Sequence, residues 1–292
     1  VVFLFFTHID IDTQRVKYTN EKFVYISLFT FIASVVLLSH SFNKPELIIA
    51  FLDVGQGDAI YIRTPRGRTM LIDGGKNREV LYEISKVHPF YDRSIDIVAL
   101  SHPDLDHIGG LIPVIEQYDV LYAMDTFSDK ESEEYSLFKE ILSEHIFHPE
   151  SGYIIVLEDG IHIEVLWPHS GITNLSDNEG SLVLRLEYHD TSVLLTGDIG
   201  FETETHLLDM YGRSLMSDIL KVGHHGSGFS TSKDWIQKVD PDISVLSYGC
   251  ENRYGHPHER VHNLIHEYGE VYDTCKQGTV ILSSDGKKWK RK

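Results

Sequence analysis

The chain has 292 residues, 42% of them hydrophobic and 24% charged, globular proportions that exclude a collagen-like, mucin-like or wholly disordered protein. Lys and Arg number 26 against 44 Asp and Glu, a formal charge of −18. No general basic surface is therefore available to hold nucleic acid, and a phosphate-rich substrate would need a local device. Two cysteines, Cys250 and Cys275, are too few for a disulfide scaffold and lack the spacing of a structural zinc site, whereas 17 histidines are unusually many.

Phe23 to Ser39 carries no charged residue and approaches the roughly 17–25 apolar residues that cross a hydrocarbon core as a helix. A transmembrane helix is expected over 23–40. The polar stretch Thr7 to Lys22 before it argues against a cleaved signal peptide. Arg15, Lys17 and Lys22 precede the span and only Lys44 follows it closely, a bias that puts the rest of the chain on the outer side of the membrane. The chain opens with the apolar run Val1 to Phe6. If that run closes a preceding span, residues 1–22 are its end plus a short cytoplasmic loop, and the chain is a fragment of a longer polypeptide.

From Leu47 the pattern changes to short β-rich runs and amphipathic stretches, and residues 47–292 read as one domain. Strands are expected at Leu47–Val54, Asp58–Thr64, Thr69–Asp73, Asp96–Ser101, Val120–Met124, Ile161–Trp167, Ser181–Tyr188, Ser192–Thr196, Ile219–Val222, Ile243–Tyr248 and Thr279–Ser283. Helices are expected at Arg78–Val87, Ile108–Tyr118, Glu133–Leu142, Phe201–Tyr211, Ser232–Val239 and His258–Tyr268. Hairpins first and strand–helix alternation later predict two sheets with helices outside. The basic tail Lys287 to Lys292 reads as a solvated end, with phosphate or anionic lipid as the alternative contact.

The sharpest chemical signal is SHPDLDHIGG, Ser101 to Gly110, which crowds His102, Asp104, Asp106 and His107 behind an apolar strand. Carboxylates and imidazoles this close need a cation, and the mixture suits Zn2+ or Mn2+. A solvated polar loop explains neither the strand before it nor the glycines after it. Asp73 and Asp198 each end an apolar strand, where one carboxylate can bridge two metals and another can orient a ligating histidine. His224 and His225 in LKVGHHGS, and His256 and His258 in NRYGHPH, add histidines in loops.

Together, FLDVGQGDA (Phe51 to Ala59), LIDGG (Leu71 to Gly75), SHPDLDHIGG, SLVLRL with LLTGD (Leu194 to Asp198), LKVGHHGS (Leu220 to Ser227) and NRYGHP (Asn252 to Pro257) resemble the metallo-β-lactamase fold. More narrowly, they resemble the C-terminal domain of the ComEC family of DNA-uptake (competence) channel proteins, over Leu47 to about Gly286. The resemblance implies an α/β fold, an αββα sandwich with a metal site at one edge of its two mixed sheets, and metal-dependent phosphodiester hydrolysis. It implies His102 and Asp104 in metal site one, Asp106 and His107 in site two, and Asp198 between them. Two departures stand out. Asp104 replaces the second histidine of the superfamily pattern, which shifts preference toward Mn2+ or Mg2+, and Asp177 or Asn178 stands where a third histidine is expected.

For the last ligand of site two, His256 is favoured over His224 or His225, because its separation from Asp198 resembles that of phosphodiesterase members of the fold. His224 and His225 would then face the phosphate and hydrogen-bond to it or move a proton, alongside Asp106 as a catalytic group. Ser227, Asn252 and Arg253 would hold flanking phosphates, with a surface ion pair as the alternative for Arg253. Asp58 lies in the VGQGD turn, beside the site or as a purely structural residue. Cys250 and Cys275 become a reasonable oxidised pair if the domain lies outside the cell, and plain thiols if it is cytosolic.

The function implied is an extracellular deoxyribonuclease domain of a DNA-uptake channel, degrading the non-transported strand with one or two divalent ions. Its expected partners are DNA, preferably single-stranded, the membrane, the channel part of the same or a neighbouring polypeptide, and other competence proteins. Its expected place is the cell membrane. The alternatives are a stand-alone membrane-anchored hydrolase of another ester or phosphodiester, and a non-catalytic DNA-guiding module.

Overall fold

The computed structural model describes residues 22–34, 45–126, 128–158, 160–172 and 175–292. The chain divides into two units, Val1–Lys44 and Pro45–Lys292. In the first, a helix, α1, covers residues 22–34 with Phe23, Phe29 and Phe31 exposed. The rest of the expected span, its flanking charges Arg15, Lys17 and Lys44, and the run Val1 to Phe6 lie outside the described residues. Among the described residues no helix is long and apolar enough to cross a membrane.

In the second unit the chain first builds β1 (Leu47–Phe51), β2 (Ile60–Arg63), β3 (Thr69–Ile72), α2 (Glu79–Val87), β4 (Ser94–Ala99), α3 (Leu105–Ile108), α4 (Leu111–Gln117), β5 (Asp119–Met124), α5 (Glu133–Ile141) and β6 (Ile146–Phe147). It continues through β7 (Ile154–Glu158), β8 (Ile161–Trp167), β9 (Val183–Tyr188), β10 (Thr191–Leu195), α6 (Phe201–Tyr211), β11 (Ile219–Lys221), α7 (Lys233–Val239), β12 (Ile243–Leu246), α8 (Glu259–His266), β13 (Glu270–Asp273) and α9 (Thr274–Gln277). A last hairpin, β14 (Val280–Ser284) and β15 (Trp289–Arg291), returns to the first sheet.

One sheet runs β15-β14-β1-β2-β3-β4-β5-β6 and the other β13-β12-β11-β10-β9-β8-β7. Each is mixed: β1, β2 and β3 pair antiparallel before β3, β4, β5 and β6 pair parallel, and β8, β9 and β10 pair antiparallel before β10, β11, β12 and β13 pair parallel. Strand alternation serves two cores at once. In β1, Leu47, Ile49 and Phe51 face the other sheet, where they meet Ile163, Leu184, Val193 and Val245. Ala50 of the same strand turns outward to a layer with Val80, Ile84, Val114 and Phe138 from α2, α4 and α5. The second sheet's outer face packs Leu194 and Leu220 against Trp235, Ile236 and Val261 of α7 and α8. The result is four layers, helices, sheet, sheet, helices.

Parallel β3 and β4 end at the same edge of their sheet, and so do β10, β11 and β12 in the other. Open α/β sheets place ligands beyond such carboxyl ends. The expected helix over Ile108–Tyr118 is broken into α3 and α4 at Gly109 and Gly110. There the chain passes so close to the β3 loop that a Cβ on Gly110 would lie 1.8 Å from the Gly74 carbonyl. Gly74 N–H donates to His107 O (2.7 Å) and Gly110 N–H to Gly75 O (2.9 Å), so the two motif loops are stitched together. The Lys and Arg side chains of the basic tail are exposed, as expected of a solvated end, but its backbone is ordered: Trp289 packs on the inter-sheet core, and β15 pairs with β14.

Candidate metal centre

Three histidines arrive buried at the convergence of the strand ends, and each ring is oriented by an acceptor behind it. Asp73, following β3, accepts from Ser101 N (2.7 Å), Ser101 Oγ (2.6 Å) and His107 Nδ1 (2.8 Å). With its hydroxyl hydrogen given to Asp73, Ser101 Oγ accepts from His102 Nδ1 at 3.0 Å. His225 Nδ1 donates to the Ser247 carbonyl beyond β12 (2.8 Å). Each neutral ring therefore keeps its proton on Nδ1 and presents the Nε2 lone pair inward, the arrangement that outer hydrogen bonds impose on metal-binding imidazoles. The Nε2 atoms of His102, His107 and His225 are all buried and without a hydrogen-bond partner.

Carboxylates face those lone pairs. Asp198 Oδ2, beyond β10, lies 3.4 Å from His107 Nε2 and 3.2 Å from His225 Nε2, and Asp106 Oδ2 lies 3.6 Å from His225 Nε2. Donor atoms within 4.8 Å of one another are found in the sets His102, His107, Asp198 and Asp106, His107, His225. Two further sets share these residues, Asp58 with Asp198 and His225, and Asp58 with Asp73 and His107. Such nitrogen and carboxylate sets fit a divalent transition ion. Asp58 lies beneath, its Oδ1 3.5 Å from His225 Nδ1.

Sequence reading passed over Lys221, a cation inside an apolar strand. It is fully buried, donates to Gly197 O (2.8 Å), pairs with Asp58, and lies 3.6 Å from Asp198 Oδ1. Burial works against the charge on Asp58, but Lys221 and His225 outweigh it and hold the carboxyl low. Asp198 is likewise held well below the carboxylate range, the charges of His225 and His107 overcoming its burial. The same carboxylates raise the histidines: burial opposes a proton on His225, yet Asp198 and Asp58 push it up to about 9, and Asp198 and Asp73 raise His107 in the same way. The cavity is anionic enough to draw positive charge, as a proton or as a metal ion.

The loop that carries His225 is strained. His224 (φ 48°, ψ 46°) and His225 (φ 53°, ψ 23°) are consecutive left-handed residues, which for residues with a side chain cost on the order of 1–2 kcal/mol each. Two residues that sequence reading missed hold it from outside. Glu204 accepts from Thr231 N and Ser232 N, and Arg260 donates to the carbonyls of Gly228, Ser230 and Thr231. Across from the loop, a Cβ on Gly57 would lie 1.9 Å from the Asp106 carbonyl, so the VGQGD turn holds the Asp106 backbone.

The remaining expected residues spread around this centre. His256 is in none of the close donor sets, its ring centroid 6.3 Å from that of His225 and 5.8 Å from that of His224. Burial and the neighbouring His225 and His224 push it down to about 4. His224 Nε2 accepts from Asn178 Nδ2 (3.3 Å) and sits 3.9 Å from Asp198. Asn252 braces its own loop, donating to Gly249 O and His256 O and accepting from His256 N, and Ser227 Oγ accepts from Phe229 N (3.3 Å). Arg253 is exposed, its Nη2 3.2 Å from the Tyr254 hydroxyl. A disulfide joins Cys250 to Cys275. Asp104 and Asp177 are in none of the close donor sets either; both pair with Lys130.

An αββα sandwich with imidazoles and carboxylates at one edge of its sheets defines a metal-binding fold class. A model of the metallo-beta-lactamase superfamily matches residues 52–249, and the chain belongs to that superfamily. It is 30% identical over 256 residues to ComE operon protein 3 of Bacillus subtilis (strain 168), covering 80% of this chain and 32% of that protein. It is 31% identical over 227 residues to Competence protein ComA of Neisseria gonorrhoeae, covering 77% of this chain and 30% of that protein. The chain thus spans about a third of the length of these relatives. CmlA, a diiron β-hydroxylase from Streptomyces venezuelae, shares the fold with a TM-score of 0.56 at 13% identity, over 83% of this chain and 55% of that one.

Proposed function

We propose that this domain hydrolyses phosphodiester bonds of DNA with a divalent cation, Mn2+ or Zn2+ with Mg2+ as the alternative, as the outward-facing nuclease of a membrane-bound DNA-uptake system. The observation that carries the reading is the set of three buried imidazoles with unpartnered Nε2 atoms around Asp198. The competence protein among the relatives supports DNA as the substrate. The Cys250–Cys275 disulfide supports an oxidising compartment, and the exposed apolar α1 supports a membrane location.

His107, His225, Asp106 and Asp198 would hold the ion, with His102 alongside. A divalent ion bound there supplies Lewis acidity, polarising a phosphate oxygen and lowering the pKa of water. Burial keeps the pKa of His224 below its ordinary value. With Nε2 engaged by Asn178, neutral His224 retains an Nδ1–H to donate to a phosphate oxygen. His256, also neutral, lines the same approach.

Beside Asp104 and Asp106 opens a cavity of about 520 Å³ lined by Lys76, Lys130, Asn252, Arg253 and Tyr254. Its three cations offset Asp104, Asp106 and Glu251 in the same lining, so that a divalent ion bound beside them would give a chain of −18 the local positive charge it needs to admit phosphates. Tyr254, stacked on His256 at 5.7 Å between ring centroids, offers a face for an unpaired base, which favours single-stranded DNA.

The test is cleavage of end-labelled single- and double-stranded DNA by the metal-free chain supplied with Mn2+, Mg2+ or Zn2+, against Asp106→Asn. Metal-dependent cutting that the substitution removes supports the proposal. Tight metal binding without cutting by any of the three ions overturns it and turns the reading to another ester.

A further inference from the structure

The centre has two sides, and on the side of His102 the two further carboxylates, Asp104 and Asp177, are in none of the close donor sets. Asp104 stands where the superfamily pattern implies a histidine, and Asp177 is, with Asn178, one of the two residues near the place of the other. Both are bound by one side chain: Lys130 Nζ pairs with Asp104 and lies 3.5 Å from Asp177 Oδ2. Ser128 fixes this arrangement, its hydroxyl donating to Asp177 Oδ1 (2.6 Å) while accepting from Lys130 N (3.0 Å). His102 closes the group, with Nε2 3.7 Å from Asp104 Oδ2.

Resting on the metal-centre reading above, we infer that the Lys130 ammonium takes the place of a second metal ion, so that the protein is a one-ion enzyme with a built-in cation at the other position. The chemistry of the residues agrees. A neutral nitrogen set needs a metal to bind its lone pairs, whereas the carboxylates of Asp104 and Asp177 form an anionic set that an ammonium satisfies. A dication entering beside Lys130 would meet a like charge at contact distance, and each carboxylate already has a partner. The lysine also lines the cavity beside Asp106, where a fixed positive charge faces the same approach that a second ion would.

The experiment counts Mn2+ bound per chain by elemental analysis after equilibration and reads electron paramagnetic resonance of the bound ion, for the wild type, Lys130→Ala and the double variant Lys130→Ala with Asp104→Asn. The expected result is one isolated Mn2+ in the wild type, two spin-coupled ions in Lys130→Ala, and one again in the double variant. Two coupled ions in the wild type, or one ion in Lys130→Ala, overturn the inference while leaving the metal centre intact. No bound ion in the wild type removes the metal-centre reading and this inference with it. Absence of DNA cleavage with one ion bound counts against the substrate alone.

Discussion

The two sides of the centre are built on opposite plans. Around His107, His225 and Asp198 the groups are buried at strand ends, each imidazole has an acceptor behind it, and even the counter-charge, Lys221, is fully enclosed. Around Asp104, Lys130 and Asp177 the side chains are about one-third exposed and are held by a loop, with a flexible lysine at the middle. The first plan fixes donor positions before an ion arrives, so binding needs little reorganisation. The second fixes charge but not geometry.

Substitutions sharpen this contrast, and the largest effect belongs to the buried side. His107→Ala is expected to lower DNA cleavage by at least about 10³-fold, the several kcal/mol that a bound ion supplies, while circular dichroism shows a folded domain. Lys221→Met leaves Asp58 as an uncompensated buried carboxylate and is expected to cost about 3–5 kcal/mol in urea unfolding.

The clamp on the His225 loop titrates. Burial, opposed by hydrogen bonds from Ser232 and Thr231, raises Glu204 from 4.5 to about 7. Its folded-state pKa lies above its unfolded value, so its contribution to stability is fully present below about pH 4.5 and lost as the pH rises through about 7. Compared with Glu204→Gln, the wild type should lose up to about 3 kcal/mol across that window, measured as the difference between two urea midpoints at each pH.

Asp73→Asn, which weakens the acceptor behind His107, is expected to reduce Mn2+ affinity about 10–100-fold by calorimetry. The smallest effect falls on the exposed side: Lys130→Ala should change unfolding stability by less than about 1 kcal/mol, as for other partly exposed ion pairs. A large loss there would erase the distinction between the two plans.

Much of the buried side was legible because its residues sit where local rules are strong. An apolar strand that ends in Asp73, His102 or Asp198 can be read from alternation and the polar residue that stops it. The two-sheet layering followed from hairpins giving way to strand–helix alternation. What escaped depended on distant segments. β7 is a short apolar run without the alternation that marks an inner face, β13 has an acidic residue at each end, and β15 hides one inward Trp289 among basic residues. As sequence, His225 and His256 are both loop histidines, and the separation from Asp198 favoured His256. The left-handed backbone at 224–225 tucks one ring under Asp198, and no local pattern announces it. Lys221 was visible in principle, as the single charge in an apolar strand. The linkage of Lys130 to Asp104 and Asp177 was not, since it joins three loops.

The most direct measurement is a calorimetric Mn2+ titration of the metal-free chain, His225→Ala and His256→Ala. If strand ends and the strained loop assemble the centre as described, His225→Ala weakens binding by at least about 100-fold and His256→Ala by no more than about threefold. The reverse order, or equal affinity in all three proteins, would contradict the account.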